Sequence, residues 1–134
     1  MDASLLYVSR RAATDADIRD IVAASRARNA VLGVTGALVA SRGRFAQVLE
    51  GPRAAVDALM DSVRRDRRHA GVEVLLYDDI DRRRFPDWTL AYCGGAQFVD
   101  GLIAALAERN AARPDPADLH RLVRAIEEFA RARP

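Results

Sequence analysis

The run GVTGALVASRGRFAQVLEGP, residues 33–52, holds two apolar stretches on either side of Arg42-Gly43. Residues 33–41 and 44–50 each have strand length, and the short polar connection makes them a hairpin. In a strand, alternate residues share a face. Phe45, Gln47 and Leu49 therefore point one way, and Ala46, Val48 and Glu50 the other. The ring and the leucine mark the first face as buried. Gln47 lies between them, with two amide donors and a carbonyl acceptor. Leaving those groups buried without partners costs about 1–3 kcal/mol. The amide needs a polar partner inside, supplied by the protein or by a ligand.

Working outward, the hairpin is flanked by helices. Thr14-Asp15-Ala16-Asp17 has the form of a capping box. Ile18, Ile21, Val22 and Ser25 follow at helical spacing, which predicts a helix to about Asn29. On the other side, Gly51-Pro52 opens a second helix with proline at its first position. Its core face is Val56, Leu59, Met60 and Val63, and it ends near Asp66. Residues 4–9 (SLLYVS), 72–80 (VEVLLYDDI) and 88–93 (WTLAYC) read as three further strands. The order βαββαββ predicts an α+β, ferredoxin-like sandwich. Right-handed crossovers place the third strand beside the first, and so Gln47 beside the strand of Tyr7.

Residues 98–134 change character. Phe98, Leu102, Ile103 and Leu106 form one amphipathic stripe, and Leu119, Leu122, Val123, Ile126 and Phe129 another. Arg113-Pro114-Asp115-Pro116 separates them. The expected organisation is one domain over 1–97, followed by a helical pair over 98–134 packed on the open sheet face.

Composition excludes several classes. The 134 residues suffice for one domain with a core. The net charge of +2, with all 21 basic residues arginine, sets up no global field for nucleic acid. Cys93 is the only cysteine and the histidines are His69 and His120, too few for a disulfide or a metal cluster. No stretch has the length of a membrane span, and the N-terminus lacks the form of a signal peptide. The default expectation is a cytoplasmic protein. No phosphate loop, dinucleotide fingerprint, nucleophile elbow or zinc-helix motif is present.

Five blocks in register carry a family resemblance: LLYVS, SRARN (25–29), TGALVASRGRFAQVLEG (35–51), RDRRH (65–69) and RRFPDW (83–88). Together they resemble the BLUF domain, a flavin-binding blue-light sensor, over roughly residues 3–95. The resemblance implies a photoreceptor rather than an enzyme, with Tyr7, Gln47 and Trp88 as the photoactive set. Tyr7 matches the tyrosine that gives up an electron and proton, and Gln47 the glutamine between it and the flavin edge. Asn29 matches the asparagine that holds a ring carbonyl, with Arg28 before it a basic ligand contact. Ile21 and Ser25 match the helix face beside the ring. Phe45 and Leu49, which flank Gln47 on the same strand face, are expected to contact the flavin with it. Asp66, Arg68 and His69 match the motif near the ring and ribityl chain. FAD is the implied cofactor, with FMN or riboflavin as other forms the same ring recognition admits. Leu90 stands where the family commonly has methionine, and Val8 where a polar residue is common.

Singly, each residue has a plainer reading. Tyr7 suits a core aromatic bonded to a carbonyl, Gln47 a bonded strand amide, and Asn29 a left-handed helix C-terminus. Arg82–Arg84 reads as a solvated turn, and His120 as a surface residue. The combination at matching spacing favours the ligand. With no effector sequence after residue 95, signalling is expected through a downstream protein partner or a change in homo-oligomeric assembly. The alternative is a light-independent ferredoxin-like module that binds a ligand or partner. An acylphosphatase-like enzyme is a third option, without a glycine-rich loop after the first strand to support it.

Overall fold

Apolar residues on both sides of a strand require a layer above and a layer below it. The computed structural model describes residues 2–40, 43–86, 89–94 and 116–132. The elements are β1 (Asp2–Arg11), α1 (Asp15–Leu32), β2 (Thr35–Ala40), β3 (Arg44–Pro52), α2 (Arg53–Arg65), β4 (His69–Ile80), β5 (Ala91–Gly94) and α3 (Pro116–Ala132). They form a single five-stranded sheet in the order β4-β1-β3-β2-β5. The β1/β3, β1/β4 and β2/β3 ladders are antiparallel, and β5 joins β2 in parallel. This is the α+β, ferredoxin-like arrangement, with β3 beside β1.

The central strand β3 is buried along nearly its whole length. On one face, Leu6, Val8, Ala37, Val39, Ala46 and Val48 meet Leu119, Leu122, Val123 and Ile126 of α3, with Phe85. Val8 is apolar because it faces this helix. On the other face two clusters lie side by side. Ile18, Ile21 and Val22 of α1 cover Leu38, Ala40, Phe45 and Leu90. Val56, Leu59 and Met60 of α2 cover Leu5, Tyr7, Val34 and Leu49. The two helices thus occupy separate halves of one sheet face.

Several boundaries depart from expectation. The Thr14 capping box forms as expected, with Thr14 Oγ1 accepting from the Asp17 N–H at 3.2 Å and Asp17 Oδ2 from the Thr14 N–H at 3.0 Å. The helix, however, runs one turn past Asn29 to Leu32 and stops at Gly33, which adopts φ 69°. Glycine enters that left-handed region without a Cβ penalty. Asn29 is therefore an interior helix residue. Pro52 ends β3 and precedes α2, so the helix begins at Arg53. β4 starts at His69 because two bulges against β1 absorb extra residues, with Gly71 at φ 57° in one of them. β5 begins at Ala91, because the Thr89 and Leu90 carbonyls accept from α1 side chains. Trp88, the stripe from Phe98 to Leu106, and the side chains of Cys93 and Phe129 lie outside the described residues.

Candidate functional site

Between α1 and α2 lies a cavity of about 260 Å³, just under the ~300–1,000 Å³ of typical small-ligand clefts. Its α1 wall is Ile21, Ala24, Ser25 and Arg28, one stripe at helical spacing. Its α2 wall is Ser62, Val63 and Arg65, continued by Asp66, Arg68 and His69. Gln47 reaches it from the sheet. Seven of the residues singled out in the sequence line this space: Ile21, Ser25, Arg28, Gln47, Asp66, Arg68 and His69.

Tyr7 stands behind Gln47. The antiparallel register of β1 and β3 sets the two opposite each other, and the Tyr7 hydroxyl donates to Gln47 Oε1. Tyr7 is fully buried, and that burial, with the charge of Asp66 adding to it, pushes the phenol well above its ordinary pKa. Gln47 is 6% exposed. Among the described residues its Nε2 makes no hydrogen bond, so both amide protons remain for a group in the cavity. The acceptor half of the buried amide is used by the protein, and the donor half is not.

His69 closes the floor. Its ring packs 4.5 Å from Phe45, centroid to centroid, and edge-on to Tyr7 at 6.1 Å. Ser9 Oγ lies 3.0 Å from His69 Nδ1. Burial lowers the imidazole pKa, partly opposed by Asp66. Asp66 and Arg68 bind each other in a two-point contact of 2.9 and 2.8 Å. The hydrogen bond from Arg68 holds the Asp66 carboxyl below the usual carboxylate range.

The other expected residues sit differently. Phe45 and Leu49 lie in the core beneath the slot and do not line it. Asn29 is 1% exposed and its Nδ2 donates to the Thr89 carbonyl at 2.7 Å. Arg26, one turn before, donates from Nε to the Leu90 carbonyl at 3.0 Å. Leu90 points inward, 2% exposed, against Ile18, Ile21 and Phe45. As lining residues the sequence reading does not name Ala24, Ser62, Val63 and Arg65, with Val63 expected in the core and Arg65 only part of the RDRRH block. Ala24 could have been found by extending the Ile21–Ser25–Arg28 stripe, and the others only from the approach of α2. Arg83 is not the solvated side chain expected, since it binds Asp2 Oδ2 at 2.7 Å. Among the described residues no cluster of His, Cys, Asp or Glu could hold a metal, and no helix is long and apolar enough to cross a membrane.

A slot between two helices, with Ile21, Ala24 and Val63 among polar lining residues, a buried amide offering donors and a tyrosine behind that amide suits a planar heteroaromatic ring with acceptors on its edge. A family model described as sensors of blue-light using FAD, BLUF, matches residues 3–91. The photoactivated adenylate cyclase subunit beta of Euglena longa is 37% identical over 90 residues, which is 65% of this chain and 10% of that protein. The alpha subunit from Euglena gracilis is 37% identical over 82 residues, 60% of this chain and 8% of that one. The chain spans about a tenth of the length of the curated relatives it matches. Among solved structures, the dark state of BlrB, a BLUF protein, has TM-score 0.74 at 38% identity, covering 92% of this chain and 96% of that one. BlsA in its photo-activated state shares the fold, with TM-score 0.80 at 24% identity over 95% of both chains.

Proposed function

The chain belongs to the BLUF family of blue-light sensors that use FAD, and on that footing we propose that the cavity between α1 and α2 holds the flavin ring while Tyr7 and Gln47 carry the light response. The observation behind this reading is the Tyr7–Gln47 hydrogen bond beside an amide whose donors have no partner among the described residues. Bound flavin supplies blue-light absorption and an acceptor for one electron and one proton. The chain's own residues do the rest. Tyr7 is kept neutral by burial, so it can release its proton only together with an electron. Its hydroxyl already points at Gln47 Oε1, which gives the proton a first acceptor. Gln47 would then exchange donor and acceptor roles, by rotation or by tautomerisation, and with the electron and proton returned to Tyr7 the pair settles in a second hydrogen-bond arrangement beside an oxidised flavin. Ile21, Ala24 and Ser25 form the wall beside the ring. Arg28 and Arg65, at the rim, supply positive charge for the phosphate end of the cofactor. Asn29 offers its amide oxygen to the ring while its nitrogen stays on Thr89.

The relatives named above include light-activated cyclases, and a bacterial light-regulated adenylyl cyclase matches at TM-score 0.75 and 27% identity, over 96% of this chain and 40% of that one. A protein or domain receiving the signal is therefore part of the reading, with the sheet face under α3 or a changed assembly as its route. The protein's absorption spectrum, taken before and after blue light, tests the proposal. The expected result is a flavin spectrum that shifts to the red, remains oxidised and relaxes in the dark. A protein still colourless after incubation with excess flavin would instead support the light-independent binding module.

A further inference from the structure

The strand that carries Gln47 also carries a buried carboxyl that the pocket does not use. Glu50 is 0% exposed. It lies three positions beyond Gln47, so it points to the opposite sheet face. Its Oε1 accepts from the backbone N–H of Arg84 at 2.7 Å and of Phe85 at 3.0 Å. Its Oε2 is buried and has no hydrogen-bond partner among the described residues. An apolar residue of similar size would fill this position without desolvating a carboxyl oxygen. What the carboxyl adds is one acceptor atom shared by two consecutive loop amides.

The loop so held is the crossover from β4, on one sheet edge, to β5 on the other. Arg83 fastens the same loop to Asp2 and, at 3.3 Å, to Thr35 Oγ1 on β2. Phe85 is fully buried and belongs to the cluster formed with Leu119, Leu122 and Ile126 of α3. Farther along, Thr89 and Leu90 are held by Asn29 and Arg26. The geometry points to Glu50 as the positioning residue that ties the crossover loop, and through Phe85 the α3 face, to β3. A rearrangement at Gln47 that shifts β3 then reaches the crossover loop and Phe85 through this carboxyl, beside the direct packing of Ala46 and Val48 on α3. This rests on the reading of Gln47 as the residue that rearranges in light.

Hydrogen exchange of the full chain with bound flavin, in the dark and under blue light, tests it. In the wild type the Arg84 and Phe85 amides should exchange at rates differing about fivefold or more between the two states, with a parallel change in residues 119–126. Glu50→Leu should keep the red shift, exchange these amides about ten- to a hundredfold faster in the dark, and lose the light–dark difference at both places. Glu50→Gln keeps an acceptor oxygen and should restore that difference. Equal dark and light rates at both amides in a wild-type protein that does red-shift would overturn the role of Glu50. So would a light–dark difference in α3 that survives in Glu50→Leu. If Glu50→Leu does not fold, the wild-type comparison decides alone. A wild-type protein with flavin but no red shift fails the photoreceptor reading instead.

Discussion

Tyr7 and Gln47 face each other because β1 and β3 run antiparallel in a register that pairs them by position. Each satisfies part of the other's burial cost. The phenol cannot ionise alone in this place, so its proton stays on oxygen in the dark. This separates ligand binding from the light response. Gln47→Leu is near in volume and should bind flavin in close to normal amounts, but it has no amide to rearrange. Blue light should give no lasting red shift, and a normal red shift in this variant would remove Gln47 from the mechanism. Tyr7→Phe should also stay yellow and unresponsive, because the electron and proton donor is gone. It leaves Gln47 Oε1 without its donor, so it should also lose about 1–3 kcal/mol of stability, read from a urea titration. The Tyr7–Gln47 proximity was legible in the sequence, since the crossover rule puts β3 beside β1. The partners of Glu50 and Asn29 were not. Both lie in loop backbone far away in the chain, and no local period encodes them.

At the scale of the element, the β2–β3 hairpin is built around a close approach. A Cβ placed on Gly36 would lie 1.9 Å from the Val48 carbonyl oxygen on β3. The two strands can keep their register, Gly36 opposite Leu49, only because residue 36 has no side chain. Gly36→Ala should therefore destabilise the protein by about 1–3 kcal/mol or more, lowering the midpoint of urea unfolding, and should disturb flavin binding through the displaced β3. Gly43→Ala is the matched control. Nothing lies within 4 Å of its added methyl, and it should stay within about 0.5 kcal/mol of wild type. A neutral Gly36→Ala would show that the hairpin tolerates a wider spacing than its register implies. Element type was readable from periodicity, whereas several element ends were not. α1 overran Asn29 because Ala30, Val31 and Leu32 continue the helix until Gly33. β4 began early at a bulge, and β5 late because α1 side chains take the carbonyls before it.

For the whole molecule, the buried face between α1 and α2 makes stability depend on pH. Burial lowers the His69 pKa below its unfolded value of about 6.5. Below that value the unfolded chain takes up a proton that the folded chain resists, so the unfolded state binds more protons and stability falls as pH falls. Asp66 acts in a lower window. Its pKa is held down by Arg68, so its contribution is present above the ordinary carboxylate range and is lost only as pH drops through and below it. The melting temperature should therefore decline between pH 7 and pH 5.5, with His69 as a main source. His69→Gln cannot titrate. It should lower stability at pH 7, by removing contacts with Phe45 and Tyr7, yet flatten the slope in that window. A variant with the wild-type slope would place the pH dependence elsewhere.

Among the described residues, the sequence by itself determined the kind of the main elements, the α+β order and the two-faced central strand. These follow from alternation with period two and helical spacing, which are set by covalent geometry and solvent and need no distant partner. It also carried the family's residues in register, because ligand chemistry selects residue types at fixed positions. Only the tertiary structure decided which polar groups are buried together. Glu50 sits where alternation would allow a solvated strand end, and it is buried because Phe85 and α3 cover that face. Asn29 and Arg26 look like helix-surface residues, and they bind backbone because the crossover loop returns past α1. Arg83 looks free and is held by Asp2, 81 residues away in sequence. Burial and hydrogen-bond partnership depend on which segments meet in space, and that is settled by the packing of the whole sheet rather than by any stretch of chain.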